Sequence, residues 1–265
     1  MAVTSKEVFD FAFERARHFL TLYDILHNSR QRDGRRDWLD KFKTLMHWPN
    51  GESITRIDGR DKNSILILRS AVAIGRNHFA EEYTGELLRS SIVAAISALD
   101  KYMHDIVVEK CWVLLNGPEK NIPKALANLK VPVLTTKKAI DKIRTSKSAR
   151  PGSQVKLQIQ EMLHREFTFQ NVAGVEKGSK ILGVQDFWQK IADKMPESPA
   201  KGDVQKQLTR VARRRNMIVH EADVVRRISA KNITQNKIER KETHELVNWV
   251  KEFVVAMDAT FHENC

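Results

Sequence analysis

Residues 207–223 read QLTRVARRRNMIVHEAD. This stretch lacks glycine and proline, and its apolar residues recur at helical spacing, so it predicts an amphipathic helix. One stripe on that helix is apolar except for a single arginine; its members are Leu208, Val211, Arg215, Ile218, Ala222 and Val225. A guanidinium among core-facing residues costs several kcal/mol unless an anion or several acceptors meet it. Arg215 is therefore a candidate functional residue.

The same stretch places two further polar groups beside this arginine. His220 follows five residues later, and histidine is the side chain that exchanges protons most readily near neutral pH. Asn216 lies four residues before His220, so the two share a helix face. A fixed cation, an amide and an imidazole are the parts needed to bind and cleave a phosphodiester. The alternative is structural, because arginines usually reach to water and single histidines are usually surface or core residues.

The pattern Arg215-Asn216-x3-His220 resembles the Arg-polar-x3-His signature of the HEPN superfamily, whose members include many RNases. A second segment, residues 87–105, reads LLRSSIVAAISALDKYMHD and resembles the long first core helix of HEPN domains of the RiboL-PSP type. The two segments occur in the expected order, and the resemblance covers roughly residues 84–258. The first 80 residues show no such resemblance.

This resemblance implies a metal-independent, cofactor-free endoribonuclease that acts on single-stranded or loop RNA, including tRNA loops. In that family pattern His220 deprotonates the ribose 2′-hydroxyl or protonates the leaving 5′-oxygen. Arg215 holds the scissile phosphate, Asn216 orients the site, and the product carries a 2′,3′-cyclic phosphate. Two such motif helices usually face each other, which implies a homodimer. The biological role stays open between a toxin with its antitoxin partner, an antiphage effector in a defence complex, and an RNA-processing enzyme.

Three residues outside this motif are candidates for supporting roles. Asp100 lies among apolar neighbours, so its carboxylate should be paired. It either orients the motif residues or forms a structural ion pair with Arg89 or a neighbouring helix. His104 lies four residues further on the same face, where a helix-surface pair is favoured. Asp223 follows His220 by three residues and either steadies its ring or ends the helix.

The charge distribution favours a nucleic-acid partner. The chain carries a formal net charge of +12, and residues 201–240 hold eleven Lys or Arg against four Asp or Glu. Such a segment attracts phosphates without sequence preference. Arg210, Arg213 and Arg214 are the predicted RNA-binding residues, with Arg213 on the face of His220. The alternative is an ordinary solvated basic surface.

The fold class is predicted as all-α: a HEPN-like helical bundle with an N-terminal helical extension. Residues 1–82 form the predicted extension and residues 83–265 the HEPN-like domain. A short hairpin is considered within residues 50–62, followed by a helix over residues 63–81. The motif helix is expected over residues 201–225 and the final helix over residues 241–260.

Several classes of protein are disfavoured by composition. No apolar run approaches the roughly 20 residues of a membrane span, and acidic residues near the N-terminus argue against a signal peptide. The two cysteines are too few for a disulfide framework, so a cytoplasmic location is expected. A glycine-rich phosphate loop and a zinc motif are missing from the sequence. The competing function is a non-catalytic RNA-binding or partner-binding helical module, and DNA binding by a helix-turn-helix ranks third.

Overall fold

A computed structural model describes residues 3–27, 29–32, 34–49, 51–59, 64–69, 76–130, 133–145, 151–225 and 233–264. These residues form ten α-helices: α1 Ser5–Leu26, α2 Arg36–Leu45, α3 Glu81–Leu115, α4 Lys124–Ala127, α5 Val133–Thr145, α6 Pro151–Glu166, α7 Val172–Ile181, α8 Phe187–Lys194, α9 Lys201–His220 and α10 Arg240–Asn264. They also form three short strands: β1 Arg30–Arg32, β2 Ile54–Asp58 and β3 Ile65–Arg69. The predicted all-α class is confirmed.

Helix α3 is the centre of the bundle. It is 35 residues long and contacts α1, α6, α7, α9 and α10. Buried residues occur around most of its circumference, as expected for a helix surrounded by others. The Tyr102 hydroxyl donates to the Asp258 carboxylate of α10 at 2.9 Å, and burial raises the pKa of this phenol. α3 is thus fixed to the final helix by packing and by a polar contact.

Helix α1 belongs to the same core. Its N-terminus is closed by a capping box, in which Thr4 accepts from the Glu7 amide and Glu7 accepts from the Thr4 amide. Its buried face joins the common hydrophobic cluster through Phe9, Phe13, Ala16, Leu20 and Tyr23. The N-terminal extension therefore packs on the bundle through α1. A domain boundary between residues 82 and 83 stays a prediction.

The segment between α1 and α3 contains a small antiparallel sheet in the order β1-β2-β3. β2 lies within the range considered for a hairpin and forms an antiparallel hairpin with β3, which lies beyond that range. β2 also pairs with β1, so that Ile57 lies opposite both Gln31 and Leu66. The helix expected over residues 63–81 is wrong: β3 and a 3-10 helix, Arg76–Phe79, occupy the described part. A short apolar run fits a helix or a strand equally well, and β3 is a strand because it pairs with β2.

In the C-terminal half, α9 and α10 correspond to the expected motif helix and final helix, and their ends differ from those expected. α6 and α7 precede them in the chain. The Asn171 side chain accepts from the Gly174 amide and caps α7. None of the helices in the described ranges is long and apolar enough to cross a membrane.

Candidate functional site

Helix α9 carries the motif from the core to the surface. Val204, Leu208 and Val211 are buried against the bundle, whereas Arg215 is half-buried and His220 is exposed. The helix ends at His220 rather than at the expected residue 225. The helix ends early because Ala222 and Asp223, two and three residues after His220, adopt left-handed backbone conformations with φ of 50° and 54°. His220 is therefore the last helical residue.

The three predicted catalytic residues are in contact at this end of α9. Nη1 of Arg215 lies 3.3 Å from Nε2 of His220 and donates to Oδ1 of Asn216 at 3.1 Å. Because a guanidinium only donates, the contact with His220 is a hydrogen bond when Nε2 lacks a proton and Nδ1 carries it. The cluster thus presents a fixed cation beside an imidazole nitrogen that can accept a proton.

The Nε atom of Arg215 is buried and, within the described residues, has no hydrogen-bond partner. A guanidinium placed in this way has only part of its hydrogen-bonding capacity used by the protein. An anion that reached the exposed end of the cluster would therefore meet an arginine that is not already neutralised by a carboxylate. This is the electrostatic property expected of a phosphate-binding residue.

Asp223 does not steady the His220 ring, which was the first of the two roles considered for it. Its buried carboxylate accepts from Nε of Arg89 at 2.6 Å and from both terminal nitrogens of Arg214, one of them at 2.8 Å. Asp223 consequently does not orient the His220 ring. It ends α9 and ties the chain after the helix to α3, which was the alternative reading.

The same carboxylate also holds the next described segment. Nδ2 of Asn236 donates to Oδ1 of Asp223 at 3.1 Å, and Nη2 of Arg89 donates to the Asn236 carbonyl at 2.9 Å. A single β-bridge joins Val224 to Gln235 nearby. We call Arg89, Asp223 and Arg214 the buried ion cluster. It fixes the backbone immediately beyond the catalytic candidates.

Asp100 and His104 lie apart from the motif. Asp100 accepts from the Phe169 amide at 2.6 Å and from Gln170 at 3.1 Å, so it pairs with the chain before α7. No hydrogen bond within the described chain joins it to Arg215 or His220. The proposed support of the catalytic pair by Asp100 is therefore wrong, as is its alternative pairing with Arg89.

His104 lies within ion-pair distance of Asp100, with Nε2 3.9 Å from Oδ1, but its side chain is buried and not on the helix surface as expected. Its ring stacks on His164 with centroids 4.3 Å apart and meets Phe169 edge-on at 4.7 Å. Burial is the main cause that lowers the pKa of His104, and the neighbouring Asp100 carboxylate opposes it. His104 is thus a core residue of the α3–α6 contact with no observed role at the motif.

The three predicted RNA-binding arginines differ in their exposure and in whether a carboxylate already pairs with them. Arg214 is held by Asp223 in the buried ion cluster, with 15% of its side chain exposed, so it is not available to RNA. Arg210 is exposed but donates to Glu242 at 2.6 Å. Arg213 is exposed, and no described residue pairs with it. The basic residues within 226–232 lie outside the described residues.

A groove runs beside the motif, between the start of α7 and the C-terminal half of α9. Its volume is about 710 Å³, and it was not anticipated from the sequence. Its wall is formed by Asn171, Val172, Ala173, Thr209, Ala212, Arg213, Asn216, Met217, Glu221, Val224 and Asn236. Asn171 was missed because its role depends on α7, whereas Asn216 belongs to both the motif and the groove.

Among the described residues, no group of three or more His, Cys, Asp or Glu side chains is arranged to hold a metal ion. No curated protein and no solved structure matches the chain. A family model described as RiboL-PSP-HEPN matches residues 60–263. Because this match covers more than half of the sequence, the chain belongs to the RiboL-PSP-HEPN family.

Proposed function

We propose that this protein is a metal-independent endoribonuclease with Arg215, Asn216 and His220 as its catalytic residues. Family membership supports an RNA-related role. The observation that carries the catalytic proposal is the position of Nη1 of Arg215, which contacts both Asn216 and His220 at the exposed end of α9. A charge clamp and a proton acceptor in contact are the minimum needed for phosphodiester transfer.

In the proposed reaction, Nε2 of His220 takes the proton of the ribose 2′-hydroxyl. The 2′-oxygen then attacks phosphorus, the bond to the 5′-oxygen breaks, and the products are a 2′,3′-cyclic phosphate and a free 5′-hydroxyl. Arg215 binds the non-bridging oxygens and stabilises the charge that builds on them. Asn216 holds the guanidinium in this orientation through its Oδ1.

The leaving 5′-oxygen needs a proton from a second group, which we assign to His220 of the partner subunit in a homodimer. An apolar groove of about 590 Å³ supports self-association, because it is lined by Ile218 of α9 together with Phe11 and Phe19 of α1. Phe11 has 82% of its surface exposed. A second copy docked on this groove would cover Phe11 next to the motif helix.

The test is RNA cleavage in EDTA by the wild type and by His220→Ala. We expect the variant to lose at least about 100-fold in rate, the scale of losing an acid-base group. His262→Ala is the matched control, because His262 also lies in the last turn of a helix and is exposed. Full activity of His220→Ala, with unchanged circular dichroism, would falsify the catalytic assignment.

The second candidate function is a non-catalytic RNA-binding or partner-binding module. The excess of basic residues over 201–240 and the unpaired Arg213 favour it as much as they favour an enzyme. RNA that is bound but never cleaved, with or without divalent metal, would select this alternative. Cleavage that stops in EDTA would instead require a metal-dependent mechanism.

A further inference from the structure

The C-terminal half of α9 is held differently from its N-terminal half. The fully buried side chains of this helix are Val204, Leu208, Val211 and Ala212, all of which precede the motif. Beyond them, Ile218 packs against the hydrophobic core but is only partly buried. Helix ends fray where few apolar contacts hold them. The last two turns, which carry the proposed catalytic residues, therefore need another restraint.

That restraint begins with the reversal of the chain after His220. The amides of Glu221 and Asp223 both donate to the Met217 carbonyl, at 3.2 Å and 2.9 Å, and fold the chain back over the last turn. The reversal needs a left-handed backbone at Ala222 and Asp223. Residues with a Cβ atom adopt this conformation at an energetic cost, so it persists only where the surrounding structure holds it.

Asp223 is held through both its carbonyl and its carboxylate. Its carbonyl oxygen accepts from the backbone amide of Asn236 at 2.7 Å. Its buried carboxylate accepts from the side chains of Arg89, Arg214 and Asn236. Arg214 belongs to α9 itself and Asn236 to the segment that follows, so of these three donors only Arg89 belongs to another helix of the bundle. Arg89 thus anchors the end of α9 to α3.

The guanidinium of Arg89 makes three contacts at once. Its Nε donates to Oδ2 of Asp223 at 2.6 Å and its Nη2 donates to the Asn236 carbonyl at 2.9 Å, so one side chain holds both segments. Its Nη1 donates to Glu86, on the preceding turn of α3, at 3.2 Å. These contacts use the planar fork of donors that arginine has and lysine lacks.

We propose that Arg89 is a positioning residue of the proposed active site. It acts through Asp223 and the backbone, not by contact with the imidazole, to keep His220 beside Arg215. The contact between Nη1 of Arg215 and Nε2 of His220 spans five residues and requires that the last turn of α9 be intact. A displacement of about 1 Å can lower the rate of an enzyme about 100-fold. The inference rests on the proposed function, because it takes Arg215 and His220 as the catalytic pair.

The test compares Arg89→Met with the wild type. Methionine keeps an unbranched side chain, and Asp223 keeps Arg214, so no buried charge is left unpaired. Tyr102→Phe is the matched control, because it also removes a hydrogen bond between a buried side chain of α3 and another core helix, here α10. Light scattering compares the mass of each variant with that of the wild type, since Arg89 also borders the apolar groove proposed for self-association.

Two measurements should change together in Arg89→Met. Amide hydrogen exchange, followed by mass spectrometry, should become at least about tenfold faster over residues 217–220, because the helix end has lost its anchor. Exchange over residues 204–212 should stay the same. In RNA cleavage, kcat should fall at least about tenfold while KM changes by less than about twofold, because the lost positioning acts in the transition state. Tyr102→Phe should show neither change.

The possible failures are distinguishable. If exchange over residues 217–220 is unchanged in Arg89→Met, or if kcat falls no further than in Tyr102→Phe, the positioning role is overturned even when the wild type cleaves RNA. A changed mass of Arg89→Met would assign the loss of cleavage to assembly and overturn it as well. If exchange becomes faster but the wild type never cleaves RNA, the anchoring of α9 by Arg89 stands and the endoribonuclease proposal fails.

A second variant covers the case in which Arg89→Met does not fold. Arg89→Lys keeps the charge beside Asp223 but lacks the fork that holds Asp223 and Asn236 together. The same two measurements apply to it, with the same control and the same outcomes for and against the positioning role.

Discussion

At the scale of single residues, two adjacent arginines of α9 have opposite environments. Arg214 is neutralised by the buried carboxylate of Asp223, which it shares with Arg89. Arg215 has no carboxylate partner in the described chain, and its Nε atom is buried without an acceptor. One arginine therefore stabilises the end of the helix, and its neighbour is left to meet an anion. The apolar stripe singled out Arg215 in the sequence, but nothing local revealed that Arg214 is held by Asp223.

The first prediction concerns the buried ion cluster. Asp223→Ala should lower the free energy of unfolding by about 3–5 kcal/mol, because it leaves Arg89 and Arg214 buried without their shared anion. Urea denaturation measures this loss. Asp203→Ala is the control on the same helix, since its pair with Lys206 is exposed and worth at most about 1 kcal/mol. Equal losses in the two variants would contradict a structural role for the cluster.

The second prediction concerns the pH dependence contributed by His104. Burial lowers its pKa in the folded state, although Asp100 and Asp105 raise it; His164 and Lys101 add to the lowering. The unfolded chain then binds a proton more readily than the folded one. The stabilising contribution is complete above about pH 6.5 and is lost as the pH falls through the lowered folded-state pKa.

His104→Gln should flatten the dependence of unfolding free energy on pH below about pH 6.5, because glutamine does not titrate. The measurement is urea denaturation at a series of pH values. Val113→Gln, at an exposed position of α3, changes no titratable group and should retain the slope of the wild type. A slope that survives in His104→Gln would assign the dependence to another group.

At the scale of elements, the sequence predicts what depends on local spacing. The helical character of α9 and the relation of Arg215 to Asn216 and His220 depend on residues at most five positions apart. Local spacing could not predict that Arg89 pairs with Asp223, because Arg89 lies 134 positions away in the sequence and is brought to Asp223 only by the packing of the helices. The length of α9 was overestimated because its end also depends on a distant residue: Asp223, just after the helix, is held by Arg89.

The small sheet shows a second limit of local reading. Residues 65–68 are Ile-Leu-Ile-Leu, a run that fits a helix or a strand equally well. Antiparallel pairing of β3 with β2 decides between them. The final helix was predicted well because its apolar pattern is long and periodic, and the central helix because apolar residues cover most of its circumference.

The third prediction separates the roles of two adjacent arginines of α9, the exposed Arg213 and the largely buried Arg214. Arg213→Ala should reduce the slope of log affinity for single-stranded RNA against log salt by about 0.7, the value for one phosphate contact. Arg214→Ala should instead reduce stability, because Arg214 pairs with Asp223. Arg165→Ala, an exposed arginine at the end of α6, is the control. An unchanged slope in Arg213→Ala would place the RNA elsewhere on the surface.

At the scale of the whole molecule, the proposed active unit is larger than one chain. Each chain supplies one Arg215 and one His220, and the two proton transfers of the proposed reaction need two groups. A two-fold contact is self-complementary, so the same residues recur on both sides of the cleft. The apolar groove beside Ile218 gives this contact a surface to bury.

The fourth prediction follows from this arrangement. Adding excess His220→Ala chains to the wild type should reduce cleavage severalfold, because a mixed dimer retains one His220 and the proposed reaction needs two. Activity of the mixture is compared with that of the same amount of wild type alone. Undiminished activity under conditions in which mass measurement shows mixed dimers would argue that one chain supplies the complete site. A fully active monomer in light scattering would also contradict the dimer.

The position of α1 has a consequence for how the chain is made. The buried face of α1 packs on α3, which follows it only after β1, α2, β2 and β3. During translation, α1 therefore leaves the ribosome long before its packing partner exists, with Phe9, Phe13 and Leu20 exposed to solvent. We expect the apolar face of α1 to lack its packing partner until α3 has been synthesised, and aggregation or chaperone binding is favoured during that interval.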